Sequence, residues 1–295
     1  MLGAYDKALA DLTEAVNGNP GDTSNLDWIP REFVAQCPDD GFRKGLLKLA
    51  DRTIELTDGI PGAYFTRAQL HVTFGQADKA RADFEKVVSS DEASYYAHYQ
   101  YALICLMMDD EEAAYRKACG VMLEKFAATE ESNEARFTAW TCALSPNALE
   151  DYAPAVQLAE RAVKAEPKLA SHQQSLGAIL YRAGSFQEAR EHLNIAAESA
   201  QTERTSAAYG WYFLAMTHHR LGHADEAREW LAKANEQADR ELNDAGSPAP
   251  WTRKLTLELL RKEAEELLRT DAERLLELPV EAPRPSATEQ QTTDN

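Results

Sequence analysis

The chain has 295 residues, 44% of them apolar and 8% aromatic, enough for a sizeable core. Its 49 acidic and 31 basic residues leave a formal charge of −18, which repels phosphate backbones and anionic bilayers; nucleic acid and membrane are set aside as partners, and a basic or amphipathic peptide is favoured. Four scattered cysteines without CxxC spacing, Cys37, Cys105, Cys119 and Cys142, read as packed thiols of a reducing compartment, and the absence of a signal-like start or an apolar run of roughly 20 residues predicts a soluble, cytoplasmic protein.

Ala, Leu and Glu are plentiful and alternating Val/Ile/Thr stretches are missing, so the elements are expected to be helices. The first runs from Gly3 to Pro20, with Tyr5, Ala8, Leu12 and Ala15 following the glycine. It reads as the second helix of a hairpin without its first. Leu9, Leu12 and Val16 would then lack one packing partner: either the coding unit extends upstream or this face docks on another surface, an oligomer contact included. Residues 23–60 are the least regular unit. Pro30 favours a helix start there, and "FRKGLLKLADRTIEL" reads as a good second helix.

Around Gly75, Tyr64, Ala68 and His71 come before and Ala80, Phe84 and Val87 after. In Ala93–Cys119, Asp109 replaces the turn glycine while His98, Ala102, Cys105 and Ala118 keep the spacing. In Asn133–Pro167 the turn is lengthened around "LSPNALEDYAP", and "PAVQLAERAVKAEP" still ends in proline. Gly184 is preceded by Leu176, Gly177 and Leu180 and followed by Phe186, Ala189, Leu193 and Ala196. Gly222 is preceded by Trp211, Leu214, Ala215 and His218 and followed by Ala227, Leu231 and Ala234. After the linker "SPAPW", Leu257, Leu260, Ala264 and Leu267 share one helical face, as in a solvating cap over the last unit. From Pro279 onward apolar periodicity is lost and disorder is expected.

These offsets resemble the tetratricopeptide pattern, W-x2-L-G-x2-Y, then A-x3-F, then P, in a unit of about 34 residues. Small residues let the two helices approach, large ones such as Leu193 and Phe84 fill the gap to the next unit, and glycine permits the sharp turn at positive φ. The expected fold is all-α: a right-handed superhelix, an α-solenoid of antiparallel helix pairs with a C-terminal capping helix. Residues 1–245 form the array of about five to six units, residues 246–278 the linker and capping helix, and residues 279–295 the tail.

The histidines of the last unit do not suggest a metal site. His218, like His71, falls where the pattern has Tyr, facing the neighbouring helix. His219 and His223 are four apart, but Gly222 lies at a turn between them, and no H-E-x-x-H is present. The chain has no G-x-S-x-G elbow, P-loop, G-x-G-x-x-G, H-R-D or D-F-G. The carboxylates of Asp109–Glu112 and Glu263–Glu266 read as a solvated turn and a polar helix face. No catalytic residue, metal or cofactor is therefore assigned.

Surface recognition remains. In stacked hairpins the first helices line the concave face. The positions pointing into it are Phe65 and Gln69; Tyr96 and Tyr99; Gln174, Tyr181 and Arg182; and Tyr209, Tyr212, Met216, His219 and Arg220. This predicts an aromatic peptide-binding groove with a few cations, since Tyr combines contact area with a hydrogen bond. The Lys and Asn of tetratricopeptide domains that grip a C-terminal carboxylate are replaced by Phe65/Gln69, Tyr99/Leu103 and Tyr212/Met216, so that clamp is not expected.

From about Tyr64 to Leu268 the order of blocks resembles the C-terminal tetratricopeptide tails of large bacterial serine/threonine protein kinases. The blocks are "YRKACGVMLEKF", "WTCALSPNALEDYAPAVQLAERAV", "LGAILYRAGSFQEAREHL", "WYFLAMTHHRLGHADEAREWLAKA" and "WTRKLTLELLRKEAEELL". The resemblance implies a regulatory or docking module. It transfers no catalytic residue, because the kinase domain of such proteins lies upstream of the tail.

Overall fold

A computed structural model describes residues 2–22, 37, 39–108, 112–199, 205–244 and 246–277. The expectations for Pro30, Asp109 and the tail 279–295 lie outside these residues. The described residues form thirteen helices and no strand. They are α1 (Leu2–Gly18), α2 (Asp40–Leu56), α3 (Pro61–Thr73), α4 (Ala77–Val88), α5 (Tyr95–Leu106), α6 (Glu112–Phe126) and α7 (Ser132–Ala143). Then follow α8 (Ala153–Ala165), α9 (Ala170–Arg182), α10 (Phe186–Ser199), α11 (Ala207–Arg220), α12 (Ala224–Leu242) and α13 (Trp251–Glu277).

Five hairpins pack in sequence: α3/α4, α5/α6, α7/α8, α9/α10 and α11/α12. The first helices α5, α7, α9 and α11 touch one another in succession and form the inner layer, so the fold is an all-α solenoid. Three turns share one construction. Gly75, Gly184 and Gly222 have φ of 70°, 83° and 80°. In each, the glycine N–H reaches the carbonyl three residues back and the next N–H the carbonyl five back, as Gln76 to His71 (2.8 Å), Ser185 to Leu180 (3.0 Å) and His223 to His218 (2.9 Å). These are Schellman caps, in which a side chain at the glycine position would be strained. Gly3 is not such a turn; it lies inside α1.

The close approach of the paired helices is visible at Gly177. A Cβ there would sit 2.5 Å from Leu193 Cγ and 3.1 Å from the Ala189 carbonyl oxygen. Ala189 and Leu193 themselves are fully buried. One apolar cluster runs from Tyr99 of α5 to Ala264 of α13. A smaller one joins Leu12 and Val16 of α1 to Phe42 and Leu46 of α2. The expectation that α1 would leave its apolar residues short of a partner is therefore corrected. Leu12 and Val16 are buried, and Gly45 of α2 gives Leu9 the space to pack, since a Cβ there would lie 2.5 Å from Leu9 Cδ1.

Candidate binding face

The terminal helix does more than close the last hairpin. α13 packs on α11 and α12, as a cap would, and its N-terminal end reaches back to α5. Trp251 Nε1 donates to Gln69 Oε1 of α3 at 3.2 Å, and its ring lies 6.5 Å from that of Phe84 on α4. Leu257, Leu260 and Ala264 are fully buried. Arg261 Nε donates to the Tyr212 hydroxyl at 3.0 Å, and its Nη2 to Asp239 Oδ1 at 2.7 Å. Arg182 of α9 pairs with Glu263, Nη2 to Oε2 at 2.6 Å. One apolar stripe on α13, three to four residues apart, therefore lies along the inner layer of the solenoid.

This seat sorts the residues read from sequence as groove positions. Gln69 is buried between Trp251 and Gln100. Phe65 packs edge-on to Phe84, centroids 5.8 Å apart. Tyr212 and Met216 are fully buried, the Tyr212 hydroxyl donating to Asn235 Oδ1 at 2.8 Å. His219 is half-buried and Arg220 exposed. Tyr99, Gln174, Tyr181 and Tyr209 are buried at the flanks of α13, and Tyr96 is 41% exposed.

Among the described residues, openings lie beside α13. A cleft of about 440 Å³ lies where the first helices begin, with walls from Tyr96, Tyr99, Arg136, Phe137, Trp140, Gln174, Tyr209, Thr252 and Arg253. A smaller one of about 210 Å³ lies where they end, between Tyr152, Tyr181, Arg182, Arg220 and Glu263. Burial pushes the Tyr99 phenol up to about 12 and raises Tyr209 and Tyr181 as well. At neutral pH these groups are hydrogen-bonding phenols, not bases. The sequence reading missed Arg136, Phe137 and Trp140. Their hairpin has no turn glycine to align on, because residues 144–152 separate α7 from α8.

The close histidine pair is not the one the spacing suggested. His218 Nδ1 lies 3.4 Å from His223 Nδ1 across the Gly222 turn, and burial, then the His223 charge, lowers the His218 pKa. His218 is buried as expected of a packing position. Among the described residues no three His, Cys, Asp or Glu side chains are grouped to hold a metal ion. None of the four cysteines forms a disulfide, and all are buried. No described helix is long and apolar enough to cross a membrane.

Residues 148–204 match one tetratricopeptide-repeat family profile, and residues 61–94 and 208–239 match another. These stretches are tetratricopeptide repeats. Several solved structures are similar to the chain. A tetratricopeptide repeat protein from Parabacteroides merdae is 15% identical with a TM-score of 0.49, the match covering 88% of this chain and 93% of that one. Yeast Tom70 is 18% identical with a TM-score of 0.45, over 86% of this chain and half of Tom70. A MamA structure is 20% identical with a TM-score of 0.39, over 61% of this chain and 97% of MamA. No curated protein matches the sequence.

Proposed function

We propose that the chain is a non-catalytic tetratricopeptide scaffold that binds a protein or peptide partner at the ends of its concave face. The observation that carries this reading is the aromatic cleft of about 440 Å³ beside α13, where Tyr96 stands exposed in front of buried Tyr99 and Trp140. Rings held in place by their neighbours offer contact area at little conformational cost, which is why they anchor interfaces. In this reading Tyr96, Tyr99, Gln174 and Tyr209 serve one opening and Tyr181, Arg182 and Arg220 the other. Gln69 and Tyr212 hold α13 instead of a partner.

The test is a photo-cross-linking residue at position 96, compared with one at the exposed Ile195 on α10. A partner protein joined at position 96 and not at 195 supports the reading. Labelling that favours 195 moves the interaction to the outer helices. The order of the blocks resembling kinase tails favours a docking-tail role for the same surface. An open frame directly upstream carrying H-R-D and D-F-G supports that version, and its absence removes it.

A further inference from the structure

A Schellman cap ties the residue four before its glycine to the residue just after it and sets their side chains beside each other. In the three glycine turns these pairs are His71 with Gln76, Leu180 with Ser185, and His218 with His223. The first pair completes a hydrogen bond, His71 Nδ1 to Gln76 Oε1 at 2.8 Å. The last sets two imidazoles Nδ1 to Nδ1 at 3.4 Å. Nitrogen donors sit about 2.9–3.0 Å from oxygen acceptors, so this contact is long for a hydrogen bond. It does match the spacing a metal ion imposes. Imidazole nitrogens bind tetrahedral Zn²⁺ at about 2.0–2.1 Å, and two such bonds hold the nitrogens about 3.3–3.4 Å apart. The ring centroids are 5.5 Å apart and the planes inclined at 51°, so the nitrogens face each other between the rings. The backbone fixes both stations: the His223 N–H donates to the His218 carbonyl at 2.9 Å. Burial, then the His223 charge, lowers the His218 pKa, with Glu226 opposing and Arg190 adding to the shift. The neutral imidazole is the form that binds metal. His223 is half-buried and Glu226 exposed on the first turn of α12, so the pair borders solvent.

We propose that His218 and His223 form a two-imidazole seat for a divalent transition-metal ion of the zinc class, bound through both Nδ1 atoms with water completing its coordination. Imidazole suits zinc, nickel and copper, whereas magnesium and calcium take oxygen ligands. An ion bound there clasps the end of α11 to the start of α12 and stabilises the last hairpin by mass action. The seat lies apart from the aromatic cleft and does not rest on the peptide-binding reading.

The experiment titrates the full chain, free of any histidine tag, with Zn²⁺ and separately with Mg²⁺. Calorimetry follows binding, and ¹⁵N NMR follows the imidazole nitrogens. The variants are His223→Gln, which recreates the His71–Gln76 pair and so should keep the fold, and His219→Ala, which removes the partner that spacing alone gives His223. Circular dichroism confirms each fold; should His223→Gln not fold, His218→Gln takes its place. The expected result is a single Zn²⁺ per chain, displacement of the His218 and His223 Nδ1 signals, and no response to Mg²⁺. Affinity should be unchanged in His219→Ala and weaker in His223→Gln by more than about tenfold, the loss that even an outer-shell change brings. Zn²⁺ should raise the melting temperature of wild type and leave that of His223→Gln where it is. Equal binding by His223→Gln, Zn²⁺ that moves other imidazoles instead, or no binding by wild type at millimolar Zn²⁺ each overturns the inference.

Discussion

Arg182 and Glu263, 81 positions apart in the chain, form a forked ion pair between α9 and α13. The Arg182 side chain is only 4% exposed. Its Nε donates to the Ala143 carbonyl oxygen at 2.8 Å, and its guanidinium lies over Phe213. Three neighbouring hairpins and the terminal helix thus meet at one cation, which lends α13 a fixed seat as well as an apolar one.

Glu263→Ala should therefore destabilise by about 3–5 kcal/mol, because the buried guanidinium keeps its desolvation cost and loses its charge partner. Replacing both, as Arg182→Met with Glu263→Leu, should cost much less. Urea unfolding checks this. Equal stability of Glu263→Ala and wild type would mean the pair is solvated and α13 loosely held.

The same Gly→Ala change should have opposite signs at two buried helical positions. At Gly177 the new Cβ meets Leu193 Cγ at 2.5 Å and a carbonyl oxygen at 3.1 Å, so overpacking should cost about 1–3 kcal/mol. At Gly210 the nearest atom, Gln174 Oε1, is 3.5 Å away, and relief of glycine's helix penalty should stabilise by about 0.5–1 kcal/mol. Thermal melts of the two variants check the contrast.

The hairpins were readable because their turn chemistry is local. Gly75, Gly184 and Gly222 announce Schellman caps, and the small residues beside them, Ala189 and Gly177 among them, mark close contacts. The α7/α8 hairpin was legible as a unit from its proline-terminated second helix. Its groove residues were not, because a nine-residue connection removed the register mark. The path of α13 was illegible for a different reason. Its apolar stripe says that one face is buried but not against what. Trp251 meeting Gln69, 182 positions away, depends on the curvature of the whole array. That curvature also explains why Tyr212, on an inner helix, lies under α13.

Tyr212→Phe should cost about 0.5–1.5 kcal/mol. The hydroxyl both donates to Asn235 and accepts from Arg261 Nε, joining α11, α12 and α13. A groove tyrosine facing solvent would instead give no change. Chemical denaturation distinguishes the two.

Stability should fall on acidification partly through His98. Burial, reinforced by the Lys125 charge, lowers its pKa from the usual 6.5 to about 4. The folded chain therefore prefers the neutral ring. Its contribution is complete above about pH 6.5 and is lost as the pH falls toward 4. His71, His192 and His218 shift in the same direction, burial being the main cause in each. His98 packs edge-on to Phe126 at 5.7 Å, so His98→Phe should retain the packing and flatten the fall in melting temperature between pH 7 and 4.5. An unchanged slope would assign the acid sensitivity elsewhere.

That the terminal helix lies along the concave face, with its first turn against α3 and α4, is tested most directly by nuclear Overhauser contacts of the Trp251 indole in the intact chain. Cross-peaks to the Phe84 ring and the Gln69 side chain are predicted, disappearing in Trp251→Ala. An indole that shows no contact with either and exchanges its N–H freely with water would place α13 outside the groove and contradict the account.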